Sequence, residues 1–204
     1  MDLKLYFDGT NDTWNTDPIN TYSYEEMNFR LQVQNSLIGM TGEYNEFCAL
    51  MREYEDSDNL EEIVNKFIDE IGDINYYIAR NFALLFTYET YNKLVVSFQE
   101  IYLSFSNDEL LEDLQLMSTT INDFVFVENV FFDQIKKPIF RKNKEFNLGQ
   151  IYTYVTALLQ YILLYSEILY RSVDVSFNDI IQYNYDKLHN ADNLNKRGLE
   201  LSVS

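Results

Sequence analysis

Apolar residues recur along this chain with helical period. Val33, Leu37, Met40, Tyr44, Phe47, Met51 and Tyr54 follow one another at steps of four and three. That is one face of an amphipathic helix. Leu60, Ile63, Phe67, Ile71, Ile74, Ile78, Phe82 and Leu85 form a second stripe. The spacing predicts a first long helix ending near Tyr54, broken near Gly39 to Gly42, and a second over about 60–86. Residues 55–59, Glu-Asp-Ser-Asp-Asn, read as a short turn, and short turns join antiparallel helices.

The pattern continues to the C-terminal region. A third helix is expected from Glu89 to Phe105, carrying Tyr91, Leu94, Phe98 and Ile101. Ser-x-x-Glu capping boxes at Ser23 to Glu26 and Ser106 to Glu109 mark helix starts. Ile151, Val155, Leu158, Ile162, Tyr165 and Leu169 give a dense stripe, and Ser176 to Asp179 opens a last helix. Leu3 to Phe7 reads as a short strand. Phe124 to Phe132 is open between strand and helix, and Lys136 to Lys144, with Pro138, reads as a loop. Periodicity fades from about Asn190. The fold class is all-α, a helical bundle.

Composition narrows this picture. In 204 residues there are 6 Gly and 2 Pro, too few for a flexible linker, so a single domain over 1–204 is expected. With 47% hydrophobic and 16% aromatic residues the chain is not disordered. Its formal net charge of −18 opposes binding along a nucleic-acid backbone. The 21 uncharged residues from Phe146 to Ser166 contain Asn147, Gln150, Gln160 and several Tyr. They read as a buried or interface helix rather than a membrane span. One cysteine, Cys48, allows no internal disulfide and reads as an inert, buried thiol. No basic and apolar leader opens the chain, so the expected location is cytoplasmic.

Two acidic pairs carry the chemistry. Glu43 and Glu46 lie three residues apart, as do Glu70 and Asp73, so each pair shares a helix face. Every one of these acids immediately precedes a stripe residue: Tyr44, Phe47, Ile71 and Ile74. One residue is about 100° of rotation, which places all four on the shoulder of their stripes. In an antiparallel pair with facing stripes, these shoulders fall on the same side. At ~1.5 Å per residue the first pair lies roughly 14 Å before the turn and the second roughly 19 Å after it. The pairs therefore converge, and four carboxylates at one point require a cation. An all-oxygen set suits Mg2+ or Mn2+.

The second acidic motif, Asp69-Glu70-Ile71-Gly72-Asp73, and the first, Gly42-Glu43-Tyr44-Asn45-Glu46, stand in order before Asn184-Tyr185-Asp186-Lys187-Leu188. Together these three segments resemble the MazG-like all-α nucleoside triphosphate pyrophosphohydrolases. The resemblance covers roughly residues 22–86 and 160–190. It leaves 87–145 as a helical insertion. The family's Arg-Tyr-Pro run after Lys-Leu is replaced by His189-Asn190-Ala191-Asp192. The resemblance implies that Glu43, Glu46, Glu70 and Asp73 hold Mg2+ and that water attacks the α–β phosphoanhydride of a nucleotide. Nucleoside monophosphate and pyrophosphate would be the products. Glu46 and Glu70 are the catalytic candidates, one carboxylate, with Glu46 first in line, holding the water instead of the metal.

Two residues in the last motif are substrate-binding candidates. Lys187 precedes the stripe residue Leu188 and so shares the acids' shoulder, where its ammonium would meet phosphate. Asn184 lies within the Phe177, Ile181, Leu188 stripe, where its amide needs a partner, either substrate or a neighbouring backbone group. Tyr76 and Tyr77 read mainly as core, Trp14 as a loop anchor or base contact, and His189 as a surface residue. Apolar stripes on nearly every helix predict a homodimer or higher homo-oligomer. The rival reading is a non-catalytic helical module that binds a nucleotide or a protein.

Overall fold

The computed structural model describes residues 1–12, 25–54, 60–126 and 146–190, and these form an all-α bundle. The helices are α1 (Leu3–Asp12), α2 (Glu25–Tyr54), α3 (Leu60–Leu85), α4 (Tyr88–Leu103), α5 (Asn107–Phe126), α6 (Leu148–Val173) and α7 (Phe177–His189). The proposed cap at Ser23, the turn at 55–59, the loop at 136–144, the tail beyond 190 and Trp14 lie outside the described residues.

Helices α2 and α3 pack along each other as an antiparallel pair. Phe47, late in α2, meets Phe67, early in α3, edge to face at 5.4 Å between ring centroids. At the other end Gln32 accepts a 2.7 Å hydrogen bond from Arg80. The middle of each apolar stripe is buried, with Val33, Leu37, Met40, Ile71, Ile74 and Ile78 fully inaccessible.

The expected break in α2 does not occur. Gly39 sits beneath the Tyr77 ring, where an added Cβ would fall 2.3 Å from ring carbons. The glycine allows close helix contact inside a continuous helix, at the usual cost in helix propensity.

The first element is also a correction, because residues 3–7 are helical rather than extended. Asp2 accepts from the Leu5 backbone N–H at 3.0 Å, supplying an N-terminal cap. Lys4 and Asp8 pair one turn apart. Tyr6, Phe7 and Thr10 are buried together on the inner face, a helical spacing that five residues of mixed pattern conceal.

Helix α6 is the second centre of the bundle, and its whole predicted stripe is buried. Residues 87–145 include α4 and α5, which pack against it, and Tyr91, Val95, Tyr102 and Leu110 join the common core. Arg171 ties this layer together, donating to the carbonyls of Tyr102 and Phe105 and to Asn107 Oδ1. The Ser106–Glu109 capping box forms as expected. The part of 124–132 that is described, up to Phe126, is helical. Among the described residues, no helix is long and apolar enough to cross a membrane.

Helix α6 ends at Asp174, whose left-handed φ of 59° turns the chain back. A reciprocal box between Ser176 and Asp179 starts α7 two residues later. This short connection lays α7 across α3, with α1 alongside both.

Candidate metal centre

Three of the four predicted ligands meet. Glu43 and Glu46 on α2 and Glu70 on α3 each offer one carboxylate oxygen, and these oxygens lie within 4.8 Å of one another. The helix rotation that puts them there is set by Tyr44, Phe47 and Ile71, which are buried at the interface. One glutamate oxygen, Glu70 Oε2, is buried with no hydrogen-bond partner among the described residues. A carboxylate oxygen withdrawn from water without a donor is costly.

The electrostatics follow the crowding. Burial, then the charges of Asp73, Glu46 and Glu70, pushes the Glu43 carboxyl up from 4.5 to about 7. Burial, then Glu46, Asp73 and Asp69, pushes Glu70 up to about 7 as well. Without a cation these two groups hold protons near neutrality. A divalent ion among the three oxygens would reverse both shifts. The all-carboxylate donor set and the unpartnered Glu70 oxygen fit a hard cation.

Asp73, the fourth expected ligand, is engaged by α7. Its Oδ1 accepts from Asn184 Nδ2 at 2.6 Å and its Oδ2 from Lys187 Nζ at 2.7 Å. Lys187 also reaches Asp69 Oδ1 at 2.5 Å. Asp69 and Asp73 are one turn apart on α3, so one ammonium spans both. Burial opposes the Lys187 charge, but the hydrogen bonds to Asp69 and Asp73 prevail and raise its pKa. Burial raises the Asp73 pKa, while its bonds to Lys187 and Asn184 act in the opposite direction.

Both substrate-binding candidates are therefore committed within the protein. Asn184 is fully buried, and its Oδ1 accepts from the Tyr6 hydroxyl at 3.2 Å. Burial holds the Tyr6 phenol protonated, its pKa well above the ordinary value. The hydroxyl also lies 3.3 Å from the Gly72 carbonyl. Tyr6, Asn184 and Asp73 thus form a chain from α1 through α7 to α3. Sequence spacing misses Tyr6 and Asp69. The only available signal for Asp69 is its i, i+4 placement before Asp73.

The other candidates resolve simply. Tyr76 is core, Tyr77 is half-buried over Gly39, and Cys48 is half-buried with its thiol pKa raised by burial. His189, expected on the surface, is half-buried and stacks on Tyr185 with ring centroids 3.9 Å apart. The Gly9 position lies close to both rings, so α1 covers this end of α7. Compared with protein-family models, curated proteins and solved structures, the chain matches none.

Proposed function

We propose that this chain is a cytoplasmic Mg2+-dependent nucleotide pyrophosphohydrolase, converting a nucleoside triphosphate to its monophosphate and pyrophosphate. The observation that carries the reading is the convergence of Glu43, Glu46 and Glu70, with a buried Glu70 oxygen left unpartnered. The three-motif resemblance supplies the reaction class.

When bound, Mg2+ would screen phosphate charge and acidify a coordinated water. Glu43 and Glu70, whose carboxyls are both pushed up to about 7, would form the inner part of the cation cradle and lose their protons to solvent as the ion binds. Glu46 is the most exposed of the three, and it is placed to orient the attacking water at the cradle's rim. Lys187 supplies positive charge beside the cradle for the phosphate chain. Asn184 and Tyr6 hold Asp73 in place. Leu103, Leu111 and Leu116 stand 57–65% exposed on α4 and α5 and provide apolar area for the self-association that belongs to this reading.

A second reading, a non-catalytic nucleotide- or protein-binding module, is favoured by one observation: Lys187 and Asn184 are already engaged by Asp69, Asp73 and Tyr6. Pyrophosphate release from a panel of ribo- and deoxyribonucleoside triphosphates, with Mg2+ or Mn2+ against chelator, separates the two. Metal-dependent release from any member supports the enzyme. Nucleotide binding without release, under every metal condition, supports the module.

A further inference from the structure

Lys187 occupies a position that a divalent cation at the glutamate cluster would contest. Five carboxylates, Glu43, Glu46, Asp69, Glu70 and Asp73, gather on facing surfaces of α2 and α3. Lys187 forms ion pairs with two of them, Asp69 and Asp73. Asp73 lies three residues beyond Glu70 on α3, one turn along the same helix face, and so flanks the glutamate cluster. Mechanically it belongs to α7, since Asn184 holds one of its oxygens and Lys187 the other.

The two holds differ in kind. Asn184 is fully buried, and its contact with Gly72 leaves no room to turn: a Cβ on Gly72 would lie 2.8 Å from the Asn184 Cβ. Tyr6 fixes the far end of the same amide. Lys187 sits on a flexible four-carbon stem in the last turn of α7, and its side chain is 26% exposed. Its ammonium can leave Asp73 Oδ2 without disturbing the core, while Asp69 Oδ1 remains as a second anchor.

We infer that Lys187 is an exchangeable internal counter-ion: a divalent cation entering the Glu43–Glu46–Glu70 cradle displaces its ammonium from Asp73 Oδ2 and takes that oxygen as a fourth ligand. This rests on the metal-binding part of the function proposed above. No covalent step is involved. One ammonium–carboxylate pair is exchanged for one cation–carboxylate contact, and Asn184 keeps Oδ1, so Asp73 ligates through Oδ2 alone. Repulsion between the ammonium and the divalent ion drives Lys187 toward Asp69 and solvent. There it faces an incoming phosphate, which makes the cation the first ligand to bind and the phosphate the second.

The test uses Mn2+ alone, without nucleotide. Free Mn2+ is counted by electron paramagnetic resonance during titration of wild type, Lys187→Met and Lys187→Arg, with a metal-free melt on each to verify folding. In parallel, amine labelling of Lys187 in wild type is followed by mass spectrometry. Coupling between two sites usually falls at roughly 5- to 150-fold. We expect Lys187→Met to bind Mn2+ about tenfold more tightly than wild type, and Lys187→Arg, which retains the charge, to stay near wild type. Mn2+ should also raise the Lys187 labelling rate several-fold. Equal or weaker Mn2+ binding by folded Lys187→Met, or labelling that Mn2+ leaves unchanged, overturns the exchange while leaving the metal site intact. Binding by Lys187→Met but not wild type supports the exchange in its strongest form. Binding by none of the three removes the metal reading, and the exchange with it.

Discussion

Gly72 and Asn184 touch so closely that no side chain fits between them: a Cβ built on Gly72 lies 2.8 Å from the Asn184 Cβ. This contact brings α7 onto α3 and so places Asn184 and Lys187 beside Asp73. Gly72→Ala should therefore lower stability by about 1–3 kcal/mol through overpacking, even though alanine is the better helix former. Gly42 is the control, since nothing lies within 4 Å of a Cβ built there. Gly42→Ala should raise stability by up to about 1 kcal/mol. Thermal melts of both variants check the pair, and the opposite signs are the prediction.

The Tyr6–Asn184–Asp73 chain predicts a charge-specific defect. Asn184→Asp replaces an amide that donates to Asp73 with a second carboxyl in the same buried space. Protonated, it can still donate; ionised, it repels Asp73. Its stability should approach wild type in acid and fall well below it by pH 7.5, a loss that Tyr6→Phe does not show. Tyr6→Phe should cost about 0.5–2 kcal/mol at both pH values, for one neutral hydrogen bond.

The raised carboxyls make metal-free stability pH-dependent in a defined direction. Glu43 and Glu70 titrate at about 7 in the folded protein against 4.5 ordinarily. Between those values the folded state binds more protons than the unfolded state, so stability falls as pH rises. Melting temperature in chelator should decline from pH 4.5 to about 7 and then level off with respect to these groups. Millimolar Mn2+ should flatten the decline, because the ion replaces the protons. A decline equally steep in Glu43→Gln would show that its source lies elsewhere in this acidic chain.

Much of the centre was legible because it depends on rotation alone. The acids precede Tyr44, Phe47 and Ile71, and burial of those three residues is enough to aim Glu43, Glu46 and Glu70 at one point. Asp73 obeys the same rule but has a competing partner, and that competition depends on where α7 docks. No periodicity reports that Asp69 and Asp73 share Lys187, because the contact spans more than a hundred residues of chain. Tyr6 was hidden by the apparent strand at residues 3–7, whose helical face becomes visible only once Thr10 joins Tyr6 and Phe7 in the core. The break expected near Gly39 failed for a similar reason, since the glycine serves the Tyr77 ring rather than the backbone of α2.

Pyrophosphate release by Glu70→Gln, set beside wild type under Mg2+, tests the central claim most directly. The substitution keeps the side-chain shape and mimics the protonated carboxyl that the crowded metal-free site favours, so the metal-free melt should be unchanged or slightly higher. The account predicts a folded variant whose pyrophosphate release is lower by orders of magnitude. A Glu70→Gln protein that releases pyrophosphate at the wild-type rate, or that is destabilised yet active, would contradict it.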